Sequence, residues 1–114
     1  MDKEKIQQAV THNPVVLFMK GTKQFPRCGF SYRAAKILKL CCVEILKACG
    51  ANFVDVNVLA DEETVPALRE YANWPTIPVL YIRGEFIGGC DIMTEMYQVG
   101  ELQQKLGDLM KVPA

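Results

Sequence analysis

The sequence contains a single histidine, His12, and no C-x-x-C pair among its five cysteines. A zinc site of the usual Cys/His spacing is hard to build from that set. His12 itself reads as a surface residue near the end of a helix. No apolar run reaches transmembrane length. No basic block and no interleaving of aromatic and basic residues marks a nucleic-acid surface, which sets that class of function aside. Thirteen basic and 13 acidic side chains leave no formal net charge. The cysteines Cys28, Cys41, Cys42, Cys49 and Cys90 are odd in number, which argues against a secreted disulfide framework. The N-terminus, Met1-Asp2-Lys3-Glu4-Lys5, mixes both charge signs and resembles neither a signal peptide nor an Arg-rich transit peptide. The expectation is a cytoplasmic protein. The alternative is a mitochondrial matrix or plastid protein whose presequence lies outside this sequence.

What is present suits one globular domain over residues 1–114, with 50% hydrophobic and 23% charged residues. Residues 2–12 place Ile6, Ala9 and Val10 at helical spacing, and Asn13-Pro14 breaks the pattern. Val15–Met19 is a continuous apolar run, as in a strand buried on both faces. Residues 29–49 read as a helix stopped by Gly50, and 52–58 as a second strand. Residues 61–72 read as a helix whose opening carboxylates, Asp61, Glu62 and Glu63, complement its dipole. Val79–Ile82 and Glu85–Gly88 flank a two-residue turn, Arg83-Gly84, in which arginine is an imperfect first residue. Helices over about 91–99 and 101–111 close the chain. The order α-β-α-β-α-β-β-α-α predicts an α/β fold: a mixed four-stranded sheet flanked by helices, its first two strands parallel and its last two a hairpin.

The stretch Lys20-Gly21-Thr22-Lys23-Gln24-Phe25-Pro26-Arg27-Cys28-Gly29-Phe30-Ser31 carries a cysteine from the end of a strand to the start of a helix. The unpaired N–H groups of a first helical turn favour a thiolate, and Lys20 and Arg27 add positive charge. Cys28 therefore reads as a reactive thiol; the alternative is a cysteine that merely packs. Ser31 stands where a second cysteine would complete a C-x-x-C pair, and serine cannot resolve a mixed disulfide. A hydroxyl also suits the start of a helix.

This element order, with a cysteine after the first strand, resembles the glutaredoxin arrangement of the thioredoxin-like fold. Cys28-Gly29-Phe30-Ser31 resembles the CGFS signature of monothiol glutaredoxins. Trp74-Pro75-Thr76-Ile77-Pro78 is similar to the family's WPTxP segment, and Gly88-Gly89-Cys90-Asp91 to its GGCD segment. Lys20-Gly21 matches the lysine-glycine pair that ends the family's first strand. The likeness covers about residues 4–110. It implies glutathione binding and a 2Fe–2S cluster bridged in a homodimer, with Cys28 as the protein's thiol and its metal ligand. Each glutathione would supply a further thiolate. A cluster takes four thiolates, and this chain has no four-cysteine spacing to supply them. The resemblance further implies Lys20 for the C-terminal carboxylate of glutathione and Ile77 for its backbone, beside a cis peptide at Pro78. It implies Cys90 and Asp91 for the γ-glutamyl end, and BolA-type proteins and iron–sulfur client proteins as partners. Without it, Lys20 reads as a solvated lysine and Asp91 as a helix cap.

Three departures from the family pattern stand out. The place of the family's glutathione-binding arginine falls on Val65; Arg69, one turn on, is the candidate substitute. Val79 stands where the family favours glutamine. The second helix is about eight residues longer than expected, and Ile37-Leu38-Lys39 recurs as Ile45-Leu46-Lys47. The expected insertion lies near 40–47, where eight residues add ~12 Å of helix and rotate later positions by ~80°. Cys41 and Cys42 fall within it and read as incidental thiols. Three functions compete: an iron–sulfur cluster carrier, a glutathione-dependent reductase of mixed disulfides, and an adaptor without redox chemistry.

Overall fold

Strand β1 (Val15–Met19) runs through the centre of the computed structural model, which describes residues 1–45 and 53–108. All five of its residues are buried, and successive side chains point to opposite faces. Val15, Leu17 and Met19 pack in one apolar layer with residues of α2 (Gly29–Ile45), α4 (Cys90–Val99) and α5 (Glu101–Asp108). Val16 and Phe18 pack in the other with α1 (Lys3–His12) and α3 (Thr64–Ala72). A parallel neighbour, β2 (Val54–Asn57), and an antiparallel one, β3 (Val79–Ile82), flank it, and β4 (Glu85–Gly88) completes the order β2-β1-β3-β4. This is the mixed, helix-covered sheet that the element order predicts.

Element ends differ in detail. The second strand is shorter than 52–58: β2 is an edge strand over Val54–Asn57 whose residues are only partly covered, and residue 52 lies outside the described residues. The third helix starts at Thr64, not 61. Asp61 instead takes the Met1 ammonium at 2.7 Å and the Glu63 N–H at 2.9 Å, contacts that hold its carboxyl below the usual range. Arg83 and Gly84 adopt φ of 51° and 77°, the left-handed pair a two-residue hairpin demands. The continuation of α5 to residue 111 lies outside the described residues.

Helix α2 continues unbroken through Ile45, and Leu38 and Cys41 are both fully buried while Leu40 is exposed. A segment cut at Leu40 would therefore take a core side chain, Cys41, with it. The rest of the proposed insertion, Leu46 and Lys47, lies outside the described residues, as does Cys49. Among the described residues no helix is long and apolar enough to cross a membrane.

Burial, with neighbouring Tyr71 adding to it, pushes the Tyr81 hydroxyl up to about 12. An unfolded phenol ionises near ~10, so this stability is complete below about pH 10 and is lost as pH rises towards 12. Urea midpoints compared at about pH 9 and about pH 11 should fall less in Tyr81→Phe than in the parent chain. An equal fall in both would assign the alkaline loss to other groups.

Candidate functional site

Between β1 and α2 the chain folds back on itself. Gly21 bridges Pro26, Arg27 N–H donates to Lys20 O at 2.9 Å, and Thr22 and Phe25 close the tip through reciprocal backbone bonds. Two side chains of the edge strand fix this loop from outside. Asn57 Oδ1 accepts from Gly21 N–H at 3.0 Å and Asp55 Oδ2 accepts from Lys23 N–H at 2.8 Å. The loop delivers Cys28 to the N-cap position of α2, where its carbonyl accepts the Tyr32 N–H at 2.8 Å.

The half-exposed Cys28 sulfur receives the Ser31 and Phe30 backbone N–H groups, as an N-cap side chain does. These bonds, led by that of Ser31, hold the thiol below its ordinary value against the opposing effect of desolvation. The Ser31 hydroxyl and the charge of Lys20 act in the same direction. Ser31 does more than start a helix: it is fully buried, and its Oγ accepts the Lys20 N–H at 3.0 Å. It thereby ties the end of β1 to the thiol. Ser31→Ala should raise the pH midpoint of Cys28 alkylation, because one donor to the thiolate is lost while both backbone donors remain. An unmoved midpoint in a rate-versus-pH profile would show that the hydroxyl does not reach the sulfur.

Two residues beyond Cys28, Phe30 lines a cavity of about 330 Å³ whose other walls come from the segment before β3 and the start of α4. Ile77, Cys90 and Asp91 all line it, together with Trp74 and Thr76. The Ile77–Pro78 bond is cis. The hydrogen bonds among the described residues leave the Ile77 N–H and C=O unclaimed. Gly89 caps α4 and Cys90 is its first residue, so free N–H groups of that helix open beside the cavity. Cys90 is buried and Asp91 is exposed. The fold thus brings Ile77, Cys90 and Asp91 together beside the Cys28 turn, with Lys20 near enough to act on the thiol. It does not bring Arg69 into the cavity lining. That guanidinium donates through Nε to Pro75 O at 3.0 Å, beside the segment that forms the wall.

Trp74 is a residue whose chemistry its motif alone did not reveal. Its buried Nε1 has no hydrogen-bond partner among the described residues. Only 3.3 Å would separate it from a Cβ at Gly89, so a side chain there would crowd the indole. A tryptophan N–H needs a partner when buried, and that rule is the signal that marks Trp74. Among the described residues, no three His, Cys, Asp or Glu side chains come together as a metal site. Cys28 and Cys90 are free thiols.

The glutaredoxin family profile matches residues 15–87. An uncharacterized ycf64-like monothiol glutaredoxin of Synechocystis is 51% identical over 104 residues, 91% of this chain and 90% of the relative. The solution structure of reduced poplar apo GrxS14 superposes with a TM-score of 0.76 at 47% identity, covering 96% of this chain and 94% of that one. A buckwheat glutaredoxin crystallised as its glutathione complex superposes with a TM-score of 0.77 at 26% identity, covering 97% and 92%.

Proposed function

This chain belongs to the glutaredoxin family, among its monothiol members, and from that premise we propose that it binds glutathione beside Cys28 and carries a 2Fe–2S cluster shared between two copies. The observation that supports this reading is the pairing of a thiolate-favouring, half-exposed Cys28 with a cavity lined by Ile77, Cys90 and Asp91. Glutathione is an extended peptide with two carboxylates and an ammonium. The unclaimed Ile77 backbone suits its peptide groups, the α4 N-terminus suits a carboxylate, and Asp91 suits the ammonium. Lys20 is the candidate for the second carboxylate, with Arg69 at the rim if its Pro75 bond is released.

The donor set fits a shared cargo. Cys28 offers one accessible thiolate, and Cys41 and Cys90 are buried. The remaining thiolates would come from a second Cys28 and two glutathiones. The cluster would pass to iron–sulfur client proteins, with a BolA-type protein as a further partner.

The test is anaerobic reconstitution with iron and sulfide. Visible absorption should develop with glutathione present and fail to develop when a non-thiol reductant replaces it. A stable cluster without any small thiol would move the ligands to Cys41, Cys42, Cys49 or Cys90 and overturn the assignment.

A second reading rests on the lowered Cys28 thiol itself. Its thiolate would attack the glutathione sulfur of a protein mixed disulfide, forming a Cys28–glutathione disulfide and releasing the protein thiolate. A second glutathione would then regenerate Cys28, because Ser31 has no thiol to do so. Turnover on a glutathionylated substrate, measured without iron, separates this reading from the first.

A further inference from the structure

The charges that cancel over the whole chain do not cancel locally. Lys20, Lys23, Arg27, Arg33, Lys36 and Lys39 occur with no aspartate or glutamate between residues 20 and 43. The fold sets three of them around one concavity. A cavity of about 270 Å³, separate from the one beside Ile77, opens between the Cys28 loop and α2, with Lys23, Lys36, Lys39, Gln24 and Tyr32 in its walls.

Two of the three ammonium groups are held in place by neutral acceptors. Lys23 Nζ donates to Phe53 O at 2.6 Å and sits 4.6 Å from the centre of the Phe53 ring. Lys39 Nζ donates to Lys23 O at 2.6 Å. These bonds fix position without neutralising charge. Lys36 is exposed, and its side chain makes no hydrogen bond or ion pair among the described residues. Among the described residues none of the three is in an ion pair, whereas Lys3 and Lys105 pair with Glu70 and Glu85. Asp55, the carboxylate fixed on this side, accepts the backbone N–H of Lys23 and is not ion-paired with its ammonium.

Like charges held around a concavity repel one another, and a ligand with two or more negative charges relieves that repulsion. The ligand's chemistry follows from the donors. Ammonium groups act as point charges suited to phosphate, whereas paired carboxylate recognition favours the planar fork of arginine, and no arginine lines this cavity. We propose that the Lys23–Lys36–Lys39 cavity binds a diphosphate group, free or carried by a nucleoside. Concavity distinguishes this site from the flat surface an acidic protein would cover.

The experiment is a titration of the whole chain followed by amide and indole NMR shifts, first with inorganic pyrophosphate and then with a nucleoside diphosphate. Saturable shifts are expected at Lys23, Gln24, Tyr32, Lys36 and Lys39, while the Trp74 indole stays still. Lys36→Gln, which breaks no hydrogen bond or ion pair among the described residues, should weaken pyrophosphate binding roughly tenfold, and Lys36→Arg should recover most of it. Added potassium chloride should weaken binding in the parent chain. Equal affinities for the two probes, or tighter binding of the nucleotide with extra shifts at Tyr32, both support the site and identify its source. The proposal is overturned by an absence of saturation or by shifts centred on Trp74, Gly89 and Cys90. It is equally overturned by an unchanged affinity in Lys36→Gln, or by a glutamate-rich peptide that binds more tightly than either probe.

Discussion

Cys28→Ser should abolish both cluster binding and thiol alkylation while leaving the fold in place. The sulfur is the group that the Ser31 and Phe30 N–H donors address, and it is partly open to solvent. A serine hydroxyl stays protonated where the thiol would ionise, so it supplies neither nucleophile nor metal ligand. It is nearly isosteric, and serine is itself a favoured N-cap residue that accepts from the same two N–H groups. The change in stability should therefore stay within about 1 kcal/mol. Cys90→Ser is the informative comparison. Cys90 is 6% exposed at the first position of α4, and its proposed contact with glutathione is through the backbone. That variant should keep its iron, at a stability cost of about 1–3 kcal/mol for burying a hydroxyl in place of a thiol. Iron content and alkylation rate near neutral pH, measured across both variants, decide the matter. Full iron in Cys28→Ser, or complete loss in a folded Cys90→Ser, would reverse the assignment.

Gly21→Ala should lose about 3 kcal/mol of stability, a large fraction of what a domain of this size possesses. Gly21 adopts φ of 89°, which L side chains rarely adopt, and a Cβ there would lie 2.5 Å from Phe25 O and 2.7 Å from Arg27 N. Both obstructing atoms belong to the backbone, so relief requires the whole Cys28 loop to shift. The bonds from Gly21 to Asn57 and from Arg27 to Lys20 would loosen together, and with them the placement of Lys20 beside the thiol. Two readouts should move in concert: the urea midpoint should fall and the pH midpoint for Cys28 alkylation should rise. Gly29→Ala serves as the control, since nothing lies within 4 Å of its Cβ position and its φ is ordinary. That substitution lies in the first turn of α2 and should be neutral or stabilising by up to about 1 kcal/mol. A loss below about 1 kcal/mol in Gly21→Ala would show that the loop is not held by this close approach.

Much of the architecture is legible in the sequence because its causes are local. Five consecutive apolar residues at Val15–Met19 leave no polar face, so β1 must lie between two layers. Asn13-Pro14 ends α1 by removing a donor and restricting the preceding residue, and Arg83-Gly84 is too short for anything but a hairpin turn. The position of Cys28 at a strand-to-helix junction is likewise local, and its thiolate preference is led by helix-end N–H groups.

The remaining features come from contacts between residues distant in sequence. Asp55 and Asn57 fix the Cys28 loop across 32 and 36 positions, which depends on the pairing of β2 with β1. Ser31 accepts from Lys20 only because the loop returns the start of α2 to the end of β1. Arg69 turns to the Pro75 carbonyl and not into the cavity, a choice between acceptors that helical spacing does not determine. The three lysines illustrate the same limit in charge. Net neutrality hides them in the composition, and their separation along the chain hides the cavity they share. Periodicity determined which residues are buried and which element each belongs to. Sheet order and loop closure decided which side chains meet, because those contacts depend on how the elements pack together in three dimensions.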